Sequence, residues 1–339
     1  MSKTRLTADI DFEGAGKRQG YIRLSVSSHE SAYGFVPIPI VVIAGKPGPT
    51  TLLTAGNHGD EYEGEVTLAN LARTLEPDQL TGRLIILPTL NQPAAVAGRR
   101  VSPLDGGNLN RAFPGNPSGT PTEQIAYYVE DVLMPLCDAV CDMHSGGSSL
   151  HYVPSTVIPR WSDTDRLKRS VALIRAFGSP AAYVLDEPDA DNNTLLGAAC
   201  RKQKMFLGTE LGGSGSLSQT TLAIARDGLW GLLTCLGHFA TPTPGAGFKT
   251  RIFDLGGPDY YVYADNDGVF EPLVELGDDV EKGQPAARVH FPEMPWLDPV
   301  TLNFVLSGMV LCKRVPARIK RGDCLFHIGT DVKLPAGVA

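Results

Sequence analysis

Two of the seven histidines stand just past runs of residues that read as buried strands, and both have glycines beside them. His58 and Glu61 follow residues 51–55 in AGNHGDEYEG, and His144 follows residues 139–143 in CDMHSGG. In an open α/β sheet, ligands bind outside the carboxyl ends of the strands. Glycines 56, 59, 146 and 147 leave room there for a ligand to approach the backbone. Two imidazoles and one carboxylate, with a fourth position open, form the ligand set of a catalytic rather than a structural zinc site. A single His after a strand is usually a turn or capping residue, so the weight rests on the joint pattern. Asn110-Arg111, in the glycine- and proline-rich stretch GGNLNRAFPG, can hold a carboxylate through paired donors; alone it would read as an exposed turn. Glu210, in LGTELGGSGS at the end of residues 205–209, can serve as general base and then general acid beside an activated water. Alone it would read as a solvated strand end. His29, His151, His238, His290 and His327 lack such contexts and are expected on the surface or in the core, with His151 nearest the cleft.

The elements that must position these residues follow from periodicity. Residues 37–43, 51–55, 83–88, 139–143, 181–185 and 205–209 are short and mostly apolar, as strands of a sheet covered on both faces would be. Leu68, Leu71, Ala72 and Leu75 recur at helical spacing with Pro77 as a stop, which predicts a helix over 62–76. Thr120, Pro121 and Glu123 form a helix start of the capping-box kind, followed by an apolar stripe of Ile125, Tyr128, Val129 and Val132. Alternating strand and helix patterns over the first 240 residues predict an α/β layer architecture.

The length of 339 residues suits about two domains. TPTPGAG at 241–247 divides residues 1–246, expected to be the hydrolase domain, from a β module over 247–339. Within that module, Gly268-Val269-Phe270 running to Glu281–Gln284 is echoed by Gly308-Met309-Val310 running to Lys320–Asp323. The repeat resembles the halves of a biotinyl/lipoyl-like flattened barrel. Residues 286–306 hold no lysine to carry biotin or lipoate, so the module is expected to be structural, to pair subunits in a homo-oligomer, or to shape the cleft. Lys+Arg 30 against Asp+Glu 37 gives a net charge of −7, which opposes binding to nucleic acid or anionic lipid. No run approaches the ~20 apolar residues needed to cross a bilayer, and the start MSKTRLTADIDFEG has no signal-peptide character, so a cytoplasmic protein is expected. The six cysteines contain no CxxC pair and are expected as reduced core thiols.

Taken in order, His58-x-x-Glu61, Asn110-Arg111, His144 and Glu210 resemble the succinylglutamate desuccinylase/aspartoacylase family over roughly residues 45–240. That family belongs with the zinc carboxypeptidases in fold and metal site. The resemblance implies an α/β fold with a zinc carboxypeptidase-like mixed sheet flanked by helices, and an appended all-β module. It implies one Zn2+ per chain on His58, Glu61 and His144, with Asn110 and Arg111 on a substrate carboxylate and Glu210 as the proton shuttle. By the same analogy Arg100, with Arg99 adjacent, polarises the scissile carbonyl. One departure stands out: members commonly read D-L-N-R where this chain reads Asn108-Leu109-Asn110-Arg111. The family's Asp orients a metal-bound histidine; an Asn in its place supplies no charge, which predicts a metal that is easier to strip.

The reaction implied is hydrolysis of a small N-acyl amino acid to a carboxylic acid and a free amino acid. GNHGDEYEGEV, SPLDGGNLNRAFPG and DMHSGG look most like the branch of the family that acts on N-α-acetyl-L-2,4-diaminobutyrate in ectoine degradation. The acidic segment 186–191 agrees with a pocket for a side-chain ammonium, although it also reads as a solvated loop. A desuccinylase or aspartoacylase acting on dicarboxylic substrates is the rival; it requires extra positive charge, for which Arg201, Lys202 and Lys204 are the candidates. A non-catalytic binding protein on the same fold is a further alternative, opposed by the presence of every site residue.

Overall fold

The computed structural model describes residues 4–27, 29, 31–186, 192–241, 244–335 and 337–338. Its centre is a mixed sheet in which the strands Thr81–Leu87, Lys46–Ala55, Ala139–His144 and Met205–Glu210 lie side by side and parallel. Successive side chains of a strand point to opposite faces, and here both faces are covered. Leu53, Ala55, Ile86, Cys141 and Met143 pack with Leu68 and Leu71 of the helix Tyr62–Thr74, Ile174 of Thr164–Phe177 and Leu229 of Gln219–Cys235. Leu52, Ile85, Leu87 and Val140 pack on the other side with Ile125 and Val129 and with Ala198 of the helix Leu195–Arg201. Each leucine, isoleucine or valine so buried contributes roughly 1.5–3 kcal/mol, which explains the nearly continuous apolar runs of these strands.

The helix expected over 62–76 spans Tyr62–Thr74. The capping box at Thr120 forms as expected, with Glu123 closing it, and the helix runs Pro121–Tyr128 before a wider turn over Val129–Leu133. Among the elements not placed from the sequence are two strands. Gly16–Val26 is an eleven-residue strand paired antiparallel with Gly34–Ala44, and its buried Ile22 and Leu24 alternate with exposed Tyr21, Arg23 and Ser25. Ser155–Arg160 inserts antiparallel to Met205–Glu210 and parallel to Ala181–Asp186, which makes the sheet mixed.

The sheet continues into the C-terminal strands. Arg251–Leu255 pairs parallel with Ala181–Asp186 and antiparallel with Cys324–Asp331, which in turn pairs with Gly308–Arg314. A second, four-stranded antiparallel sheet is ordered Val300–Asn303, Pro285–His290, Gly268–Pro272, Arg318–Ile319. Phe270 and Phe304 pack on Phe326 between the two sheets, at ring-centroid distances of 5.4 and 5.8 Å. The sequence repeat appears as reciprocal pairing: Gly268–Pro272 pairs with Arg318–Ile319, and Gly308–Arg314 pairs with Asp279–Val280. A short strand from the first part of the chain, Leu150–Tyr152, is also stitched onto Gly308–Arg314. All six cysteines are free; Cys235 is exposed and Cys324 half-buried, rather than in the core as expected, because they sit at the end of a helix and the start of a strand. Among the described residues no helix is long and apolar enough to cross a membrane.

Candidate active site

Parallel pairing sets the site. Ala55 is level with Met143, and His144 is level with Glu210, so three adjacent strands end on the same edge. The chain leaves Ala55 through Gly56, at φ +64°, and turns sharply into the helix that begins at Tyr62. A Cβ on Gly59 would lie 2.0 Å from the backbone of Ala94, so only glycine lets the turn carrying His58 press against its neighbour. The turn brings His58 and Glu61 over the end of Ala139–His144.

There His58, Glu61 and His144, all buried, offer ligand atoms that lie within 4.8 Å of one another. His58 Nδ1 is 2.7 Å from Glu61 Oε1 and His144 Nδ1 is 2.7 Å from Glu61 Oε2. The two outward nitrogens are engaged elsewhere. His144 Nε2 is 2.7 Å from Asp142 Oδ2, and His58 Nε2 is 3.1 Å from Asn108 Oδ1. Asp142 is itself fixed by the Thr54 hydroxyl at 2.7 Å and the Asn57 amide at 3.3 Å. With each Nε2–H directed outward, Nδ1 is the atom left to face a cation, as in metal-bound histidines oriented by an outer hydrogen bond. Two imidazoles and a carboxylate held in this way can bind a metal ion, and the donor set suits Zn2+.

Electrostatics follows the same arrangement. Burial opposes ionisation of Glu61, but the charges and hydrogen bonds of His144 and His58 outweigh it and hold the carboxyl well below the usual carboxylate range. Burial likewise disfavours the charged form of His144, yet Asp142 and Glu61 on its two sides raise it well above an ordinary histidine.

Glu210 lines the same cavity of about 360 Å3 as His58, Glu61, Arg100, Asn110, Arg111 and His144. Its Oε2 is buried without a hydrogen-bond partner among the described residues. Burial first, and then the charge of Glu61, push its carboxyl well above the usual range. Arg100 reaches in from a half-exposed position, with Nη1 3.3 Å from Glu61 Oε1. Asn110 Oδ1 accepts from Leu195 N at 2.9 Å, which commits its oxygen and leaves its NH2 to donate into the cavity. Arg111 donates to the Asn110 carbonyl at 2.6 Å, and burial together with the neighbouring Arg100 lowers its affinity for the proton. The structure thus brings together the seven residues that the sequence singled out.

A second cavity, of about 380 Å3, meets the first at Asn110, Arg111, His144, Tyr152 and Glu210. Tyr183, Asp186, Tyr261 and His327 lie along it. Of the acidic segment, Asp186 lines the cavity; residues 187–191 fall outside the described residues. The basic run does not contribute: Arg201 clasps the buried Glu130 at 3.0 and 2.8 Å, Lys202 pairs with Asp131, and Lys204 lines neither cavity. Asp142 was missed in the sequence, although its signal was present, since residues two apart on a strand share a face. His327 was placed among residues without a role and proves to line the second cavity. His151 is half-buried with Nδ1 2.9 Å from Ser214 Oγ, outside both cavities.

Comparison with known proteins adds to this picture. A sequence model of the succinylglutamate desuccinylase/aspartoacylase catalytic domain matches residues 47–236. The N-alpha-acetyl-L-2,4-diaminobutyric acid deacetylase of Halomonas elongata is 40% identical over 97% of this chain and 96% of its own length. The product-bound ectoine utilization protein EutE (DoeB) of Ruegeria pomeroyi superposes with a TM-score of 0.93 at 38% identity, over 97% of this chain and 100% of that one. A succinylglutamate desuccinylase/aspartoacylase from Rhodobacter sphaeroides does so with a TM-score of 0.91 at 36% identity, again over 97% and 100%.

Proposed function

The chain belongs to the succinylglutamate desuccinylase/aspartoacylase family, and from that premise we propose that it hydrolyses N-α-acetyl-L-2,4-diaminobutyrate to acetate and L-2,4-diaminobutyrate. It is an N-acyl amino acid hydrolase; the choice of substrate follows the Halomonas deacetylase and the Ruegeria ectoine utilization protein, which it resembles along nearly their whole lengths. The observation that carries the mechanism is the convergence of His58, Glu61 and His144 on one point beside Glu210.

In this reading His58 Nδ1, Glu61 and His144 Nδ1 hold one Zn2+, and Asn108 and Asp142 keep the two rings in the tautomer that binds it. When bound, zinc supplies a Lewis acid that polarises the amide carbonyl and lowers the pKa of a coordinated water towards ~7. Arg111 and the Asn110 amide NH2 bind the substrate's α-carboxylate, and the Arg100 guanidinium stabilises the oxyanion that forms from the scissile carbonyl. Glu210, whose buried Oε2 has no competing donor, takes a proton from the attacking water and returns it to the departing nitrogen. The C–N bond breaks as that nitrogen is protonated, which releases acetate and the free amino acid. We read the C-terminal strands as a biotinyl/lipoyl-like barrel with a structural role, a reading supported by their reciprocal pairing. Six free thiols suit a reducing compartment, and the cytoplasm is the proposed location.

The experiment is product identification with N-acetyl-L-2,4-diaminobutyrate, N-acetyl-L-aspartate and N-succinyl-L-glutamate on the zinc-loaded protein. The first is expected to be the best substrate by kcat/KM. Turnover confined to the two dicarboxylic compounds would establish the desuccinylase or aspartoacylase reading instead. His58→Ala is expected to lose both zinc and activity.

A further inference from the structure

The second cavity is walled by two distant parts of the chain. Tyr152, Tyr183 and Phe206 come from the first part, and Tyr261 and His327 from the C-terminal strands. His327 stands opposite Tyr261 in the pairing of Tyr261–Tyr263 with Cys324–Asp331, and their rings stack at 4.2 Å and 12°. Tyr183 meets His327 edge-on at 6.3 Å. The imidazole is therefore held between two aromatic rings.

One buried polar atom of this wall, His327 Nε2, has no hydrogen-bond partner among the described residues, while Tyr183 Oη lies by the Ser155 side chain. Buried polar atoms are nearly always paired, so an orphan on a cavity wall marks a partner that arrives with a ligand. Besides His144, which pairs with Asp142, the ionisable side chains along the cavity include Arg111, Glu210 and Asp186, whose carboxylate is 3.6 Å from Arg160. Arg111 is engaged by the substrate's α-carboxylate in the proposed reaction, so what is left to meet a side chain is the exposed carboxylate of Asp186, Glu210 and aromatic rings, which favour a positive group.

We propose that His327 is a specificity-determining residue: its Nε2 accepts a hydrogen bond from an ammonium at the end of the substrate's side chain, and Tyr183 Oη and the ring of Tyr261 complete the subsite. The proposal rests on the N-acyl amino acid hydrolase reading and extends it to the side chain. Burial pushes the His327 imidazole down to about 4, so the ring is neutral near pH 7 and does not repel a cation. In the tautomer with its single proton on Nδ1, Nε2 is an acceptor. A second carboxylate on the substrate would instead meet Glu210 and Asp186, with Arg111 the one Lys or Arg among the described residues that line this cavity.

The test compares kcat and KM for N-acetyl-L-2,4-diaminobutyrate with those for N-acetyl-L-norvaline, which has an uncharged side chain of similar length. His327→Leu is expected to lower kcat/KM for the cationic substrate, through KM, by on the order of tenfold to a hundredfold more than for the neutral one, the range of a hydrogen bond to a charged group. His327→Gln, which keeps an acceptor, is expected to recover part of that loss. Equal losses on both substrates would show a merely structural role and overturn the proposal while leaving the hydrolase reading in place. Absence of N-acetyl-L-2,4-diaminobutyrate turnover by the unaltered protein would overturn the substrate assignment and this subsite with it. A further arm needs no variant: L-2,4-diaminobutyrate is expected to inhibit the unaltered enzyme at least tenfold more strongly than L-2-aminobutyrate, and equal inhibition would overturn the proposal.

Discussion

Each histidine of the His58–Glu61–His144 cluster has a different outer partner, and that difference has measurable consequences. His144 leans on the carboxylate of Asp142, whereas His58 leans on the neutral amide of Asn108. An anionic partner raises the basicity of the ligating ring, so Asp142→Asn is expected to weaken metal affinity roughly 10- to 100-fold. Asn108→Asp is expected to strengthen it; competition against a chromogenic chelator reads both. Glu210→Gln keeps the shape of the side chain but cannot carry the proton. It is expected to retain zinc while kcat falls by about 10²- to 10⁴-fold, and near-normal turnover would remove Glu210 from its role. The convergence of His58, Glu61 and His144 was legible because strand ends flanked by glycine are where an α/β sheet keeps its chemistry. His327 was not, because its position comes from cross-strand pairing with Tyr261, sixty-six residues away in the chain, and nothing local to it announces that pairing.

The helix Tyr62–Thr74 carries more than Glu61 at its start. Glu65, in its first turn, lies beside Gly56 with a buried Oε1 that has no hydrogen-bond partner. Burial, reinforced by the charges of Glu61 and Asp60, raises its carboxyl from 4.5 to about 7. An acid whose folded value is raised favours the fold below the unfolded value and loses that contribution as pH climbs through the folded one. Glu65 therefore destabilises the protein increasingly between about pH 4.5 and 7. Glu65→Gln is expected to raise Tm at pH 8 and to leave it nearly unchanged at pH 4.5; the same increment at both values would refute the titration. Among the elements, apolar parallel strands and the Thr120 capping box were readable because their signals are local. Gly16–Val26 was hidden by Gln19, Arg23 and Ser25 on its open face, and Ser155–Arg160 by Pro159 and the polar residues at its two ends.

At the scale of the whole molecule, the C-terminal strands are bound into the large sheet at two places. Arg251–Leu255 covers the edge of Ala181–Asp186, and Gly308–Arg314 grips Leu150–Tyr152, which continues the loop that follows His144. A chain ending at residue 246 would expose a long apolar strand edge and free that loop. Such a truncation is expected to aggregate and to show no turnover, as size-exclusion chromatography and assay would reveal; a monomeric, active fragment would contradict this. The composition shift at 241–247 was visible in the sequence, but the return of the chain to its own first half was not, because strand partners so far apart leave no periodicity to read. Since Cys324–Asp331 pairs with Arg251–Leu255 and Gly308–Arg314 and also carries His327, a nascent chain must emerge past residue 331 before the wall of the second cavity can assemble.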